Sequence, residues 1–219
     1  MCGKNRFRNL ALLSAGTLAG TLAGTEAASA EGRNGSEAPK KPNILFFLVD
    51  DLGWSDIGCF GSRFHETPNI DRLAEEGVGF TNAYAACHVS SPTRASLMTG
   101  RYPASIRLTD WLPGRKNWPF QRLLNAPVEQ HLPFEEITVA ETLRDNGYAT
   151  AIIGKWHLGK GDSNPLAHGF VEHIPLGYNE GWPQGYYAPF RLNGYEGEEG
   201  EYLTDVMTRE ATKYIEEHK

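Results

Sequence analysis

Cysteine is scarce in this chain of 219 residues, with three in all, and that scarcity excludes a small scaffold knit together by disulfides. Cys2 lies in a leader-like segment, which leaves Cys59 and Cys87 either paired or buried as thiols. An excess of cations is missing as well: 21 Lys and Arg stand against 27 Asp and Glu, for a formal charge of −6. Setting aside the first thirty residues, with Lys4, Arg6, Arg8 and Glu26, takes the remainder to −8. So acidic a chain excludes holding DNA or other polyanions by bulk attraction, and an anionic substrate has to be met by a local cationic cluster. No apolar run is long and undiluted enough to span a bilayer well. Disorder is excluded too, because 40% hydrophobic residues over this length suffice for one sizeable core.

What is present begins with a three-part leader. Lys4, Arg6 and Arg8 precede the mildly apolar "LALLSAGTLAGTLAG", and "ASA" at 28–30 supplies small residues suited to cleavage. Residues 1–30 are therefore expected to be a signal peptide, with export to the periplasm or beyond. Residues 31–42 are polar and punctuated by Gly and Pro, as a flexible lead-in would be. The run "NILFFLV" (43–49) is apolar on both faces and predicts a buried central strand. In "TPNIDRLAEEG" a helix starts at Thr67 with Pro68 in its first turn, shows Ile70, Leu73 and Ala74 on one face, and closes at Gly77. "VGFTNAYA" reads as a short strand. Thr138 and Glu141 form a capping box for a helix that Gly147 ends, and the strand "YATAIIG" follows. This alternation predicts an α/β fold, a mostly parallel central sheet with helices on both faces. Residues 161–203 read as long loops. In "YLTDVMTREATKYIEEHK", Leu203, Val206, Met207 and Tyr214 fall at helical spacing. That last helix either docks on the domain or belongs to a domain that is cut short.

Three places carry candidate chemistry. Asp50 and Asp51 follow the first apolar run, at the strand end where open α/β sheets bind ligands. Their mutual repulsion suits a shared Ca²⁺ or Mg²⁺, although a helix or turn cap would use the same pair. "CHVSSPTRASLMTGRYP" offers Cys87, Ser90 and Ser91 as nucleophiles. Pro92 belongs in the first turn of a helix that Gly100 ends, so the two serines sit where free N–H groups and the dipole favour an anion. Serine before proline is also an ordinary cap, but a cap does not account for Arg94 one turn on. Lys155 and His157 in "GKWHLG" are two apart, so an extended backbone would send both side chains off one face.

The run from Ser90 to Arg94, continuing to Thr99, Gly100 and Arg101, resembles the sulfatase signature, C/S-x-P-x-R followed by T-G-R. "PNILFFLVDDLGWSDIGCFG" before it, "TPNIDRLAEEGVGFTNAYA" and "GKWHLG" are similar to the family's other blocks, in order. The resemblance runs from Pro42 to the end of the chain and implies an alkaline phosphatase-like catalytic domain over 43–219. It selects Ser90 as the residue that a maturase oxidises to Cα-formylglycine. Val89 stands where Cys87 would need proline, and Pro92 follows Ser91 directly. The family's chemistry explains the oxidation. A plain serine would end as a stable sulfate ester, whereas a hydrated aldehyde has one hydroxyl to attack sulfur and another to expel sulfate. By resemblance Asp50, Asp51 and the modified Ser90 hold Ca²⁺, or else Mg²⁺. Arg94 holds the hydrate, Lys155 binds sulfate oxygens, and His157 assists deprotonation.

The resemblance also carries a departure. Family members are longer and bring a second metal pair, a Lys and a His from a downstream segment, so the site is expected to be about half present and the chain, taken alone, inactive or poorly folded. The function implied is hydrolysis of a sulfated carbohydrate or aryl sulfate. A phosphonate or phosphate ester hydrolase of the same superfamily, or an inactive anion-binding fragment, are the alternatives. The aromatics of "RLTDWLPGRKNWPF" and "GYNEGWPQGYYAPF" suit sugar stacking and suit packing on each other equally.

Overall fold

A computed structural model describes residues 41–174, 185–190 and 197–218. The leader at 1–30, most of the lead-in, and the segment 177–184 of the second aromatic stretch lie outside the described residues. The chain divides into two units, Met1–Tyr84 and Ala85–Lys219, and each is taken by itself.

In the first unit Pro68 opens helix α1 (Pro68–Glu76), and Gly77 follows it, as the punctuation predicts. Thr67 stands at the cap position but its hydroxyl looks outward, accepting the Gly58 N–H at 2.8 Å and donating to Asp71 Oδ1 at 3.0 Å. Asp71 also accepts the Cys59 N–H at 2.7 Å, so α1 is tied to a 3-10 turn at Gly58–Phe60 by side chains. Two expectations fail here. Residues 43–49 form no strand, and Phe47 is 61% exposed. Residues 78–85 form no strand either, with Val78, Phe80 and Tyr84 exposed. The cause is shared: an apolar run becomes a central strand only where neighbours complete its ladder and a layer covers it. Among the described residues β pairing occurs only in the second unit.

The second unit holds helices α2 (Ser90–Thr99), α3 (Pro103–Ile106), α4 (Val139–Asp145) and α5 (Leu203–Glu217), and strands β1 (Ala151–Ile153) and β2 (Glu172–Ile174). The strands pair in parallel, Ala151 opposite Glu172 and Ile153 opposite Ile174. Parallel neighbours with helical cover make this an α/β arrangement. β2 and a 3-10 turn at Pro165–His168 fall inside the stretch expected to be loop. The expected helix stops and starts hold in this unit. Gly100 closes α2 in the left-handed conformation, φ 69°. Thr138 and Glu141 make both bonds of the capping box. The Thr138 hydroxyl also donates to the His168 carbonyl at 2.7 Å. Gly169, next in line, must be glycine: its φ is 94° and a Cβ would fall 2.3 Å from the Glu141 nitrogen.

Two cores result. Ala95, Ile106, Leu108, Leu132, Trp156 and Leu158 are buried together beneath α2, with Ile152 of β1 packed against them. Ala188, Phe190, Leu203 and Val206 form the second, so α5 docks through the face its spacing predicts, and it lies against β1. No helix among the described residues is long and apolar enough to cross a membrane. Cys59 and Cys87 are both free thiols, Cys59 exposed and Cys87 half-buried.

Candidate active site

The first core decides which residues face the site. Trp156 and Leu158 drop into it, Trp156 only 1% exposed with its indole N–H on the Ser163 carbonyl at 3.0 Å. Lys155 and His157, between and before them, are left half-buried on the other side. The backbone is not the extended strand that the two-residue spacing suggested, because His157 is left-handed at φ 57°. β1 ends at Ile153, Gly154 turns the chain at φ 107°, and Lys155 is carried toward the start of α2.

There the Lys155 Nζ donates to Ser90 Oγ at 2.8 Å, across 65 positions of sequence. Ser90 is the first residue of α2, and Val89 before it contributes no side-chain cap. The two serines part company at this turn. Ser90 meets Lys155, whereas Ser91 is fully buried and its Oγ accepts the Leu112 N–H at 3.1 Å. Arg94, buried to 8% exposure, donates from Nη1 to the Lys155 carbonyl at 2.7 Å. It therefore fixes the backbone of the lysine as well as standing one turn from Ser90. His157 Nε2 lies 3.0 Å from the Leu112 carbonyl. A carbonyl can only accept, so Nε2 carries the proton in this contact, and Nδ1 is the nitrogen that accepts when the ring is neutral.

Two contributors escaped the sequence reading. Thr93 donates to the Cys87 carbonyl at 2.8 Å and accepts the Cys87 N–H at 3.2 Å, pinning the chain's entry into α2. Its place inside the signature was the available signal. Leu112 acts through its peptide groups, which no side-chain pattern reveals.

Asp50 and Asp51 belong to the first unit, where both are exposed and Asp51 has φ 54°. Their carboxylates suit a hard cation by donor type. Ca²⁺ takes about six to eight oxygens, however, and among the described residues no group of three or more His, Cys, Asp and Glu comes together. The described residues do not make up a cation site by themselves.

The sulfatase family model matches residues 42–219, more than three quarters of the chain. The chain belongs to the sulfatase family. N-acetylgalactosamine-6-sulfatase of Canis lupus familiaris is 37% identical over 210 residues, covering 85% of this chain and 38% of that protein. Steryl-sulfatase of Homo sapiens is 45% identical over 142 residues, 62% of this chain and 23% of that one. Among solved structures, Ps i-CgsB in complex with k-i-k-neocarrahexaose is 32% identical with a TM-score of 0.65, over 81% of this chain and 42% of that chain. This sulfatase chain thus spans less than half the length of each of these, and it shares the α/β fold of the solved sulfatase over the part they have in common.

Proposed function

We propose that the chain serves hydrolysis of a sulfuric ester, with Ser90 as the seat of the nucleophile. The observation that carries this reading is the 2.8 Å contact between Lys155 Nζ and Ser90 Oγ at the start of α2. An ammonium group, the first-turn N–H groups and the helix dipole there converge on the place where an ester's anionic oxygens would sit. Lys155 binds those oxygens and stabilises the charge that grows on them in the transition state. Arg94 holds Lys155 in place from behind and adds a fixed positive charge. His157, protonated on Nε2, offers Nδ1 to take the nucleophile's proton.

Sulfatases generally work with a formylglycine and a divalent metal, and in the proposal a maturase oxidises Ser90. Formylglycine supplies, as its hydrate, a nucleophilic hydroxyl and a second hydroxyl whose deprotonation releases sulfate. Asp50 and Asp51 are the proposed carboxylate ligands of a Ca²⁺ or Mg²⁺. Donor chemistry and the family support them, and exchange of both for Asn should abolish calcium binding measured by calorimetry. A sulfated carbohydrate is favoured among the substrate classes, since one relative is named for a sugar and another structure holds k-i-k-neocarrahexaose. Export rests on the leader pattern.

The test is mass spectrometry of the Ser90 peptide from maturase-coexpressed chain, which should be lighter by about two mass units. It is joined by turnover of 4-nitrophenyl sulfate, which Lys155→Ala should lower about 100- to 1000-fold. Faster turnover of phenylphosphonate esters would make the chain a phosphonate hydrolase. Unoxidised Ser90 without turnover would make it an anion-binding protein.

A further inference from the structure

We infer that Ser91 is a positioning residue for His157, acting through the backbone of Leu112; the inference rests on the proton-accepting role proposed for that histidine. Ser91 is fully buried in the first turn of α2. Its Oγ accepts the Leu112 N–H at 3.1 Å, and the carbonyl of the same Leu112 accepts His157 Nε2–H at 3.0 Å. One residue of the loop after α3 is thus clamped at both of its peptide groups, on one side by the nucleophile's helix and on the other by the base.

The clamp matters because His157 has no regular element to orient it. A left-handed conformation in a residue with a Cβ persists only where the surroundings hold it. The Leu112 carbonyl also fixes the tautomer, for a neutral ring that donates from Nε2 keeps its lone pair on Nδ1. An apolar residue at position 91 could fill the same volume but would leave the Leu112 N–H without its acceptor. A buried donor in that state drives the loop to move, and the carbonyl would move with it. Ser90 and Ser91 therefore set the two arms of the site from a single helical turn, the first facing Lys155 and the second reaching the histidine.

The experiment uses the full 219-residue chain with ¹⁵N-labelled histidine and reads the tautomer and titration midpoint of the His157 ring by NMR. The wild type should show the Nε2–H form. Ser91→Ala should mix the tautomers and move the midpoint, Ser91→Thr should restore both, and Leu112→Met, which keeps the peptide groups, should leave both unchanged. A wild-type signature in Ser91→Ala overturns the inference. Should that variant fail to fold, amide exchange in the wild type decides, because the Leu112 N–H must be protected and exchange at the rate of an open loop amide overturns the clamp. Kinetics separate this idea from the one beneath it. With turnover present, Ser91→Ala should lower kcat about tenfold with KM within about twofold. A shifted His157 signal in a chain whose Ser90 is never oxidised supports the clamp and refutes the hydrolase.

Discussion

Residues 43–49 and residues 148–154 both read as strands running into candidate site residues, yet only the second stretch is built into a core. "NILFFLV" is the more hydrophobic of the two and lies exposed, with no ladder among the described residues. The later stretch has just three residues of strand, but β2 pairs with them, α5 lies against them, and α2 covers the aromatic that follows. Hydrophobicity marks a segment as able to be buried; partners decide whether it is. The lesson bears on the site, because Lys155 and His157 flank a side chain of the first core, whereas Asp50 and Asp51 are exposed.

Four measurements would break or sharpen that contrast. Trp156→Ala should cost about 3–5 kcal/mol of unfolding free energy in urea titration, as a large side chain lost from a core does. A loss under about 1 kcal/mol would mean the first core is not what holds the site. Thr138→Ala removes the cap of α4 and the bond to His168, and should cost about 1 kcal/mol by the same titration.

A smaller change depends on pH. Burial holds His168 below its ordinary value of 6.5; nearby Glu141 opposes this and His131 adds to it. Stability is full above that ordinary value. As pH falls beneath it the unfolded chain binds the proton first, so stability drops until the folded pKa is passed. Comparing urea midpoints at about pH 7.5 and about pH 5.5 should show a decline that His168→Phe reduces. Phe47→Ser should be nearly silent, within about 0.5 kcal/mol. A large loss there would show that residues 43–49 are buried in solution and would erase the contrast.

Much of the second unit could be read in advance because its signals are local. Thr138 with Glu141, Gly100 after Thr99, and the spacing of Leu203, Val206 and Met207 each act within one or two turns of chain. β2 escapes such a reading because a strand of three residues gives no periodicity to detect. Ser90, Arg94 and Lys155 were legible as residues, by resemblance, but their mutual bonds were not, since Arg94 reaches a carbonyl and not a side chain. The left-handed turn at His157 and the bridge at Leu112 have no side-chain signature at all.

Trp156 gives this protein a built-in optical gauge. Among the described residues it is the tryptophan at 1% exposure, next in sequence to Lys155, while Trp54, Trp118 and Trp111 are 84%, 57% and 38% exposed. A short-wavelength emission component that acrylamide fails to quench and that Trp156→Phe removes would come from this indole, and its disappearance would register loosening of the first core before any substrate is added.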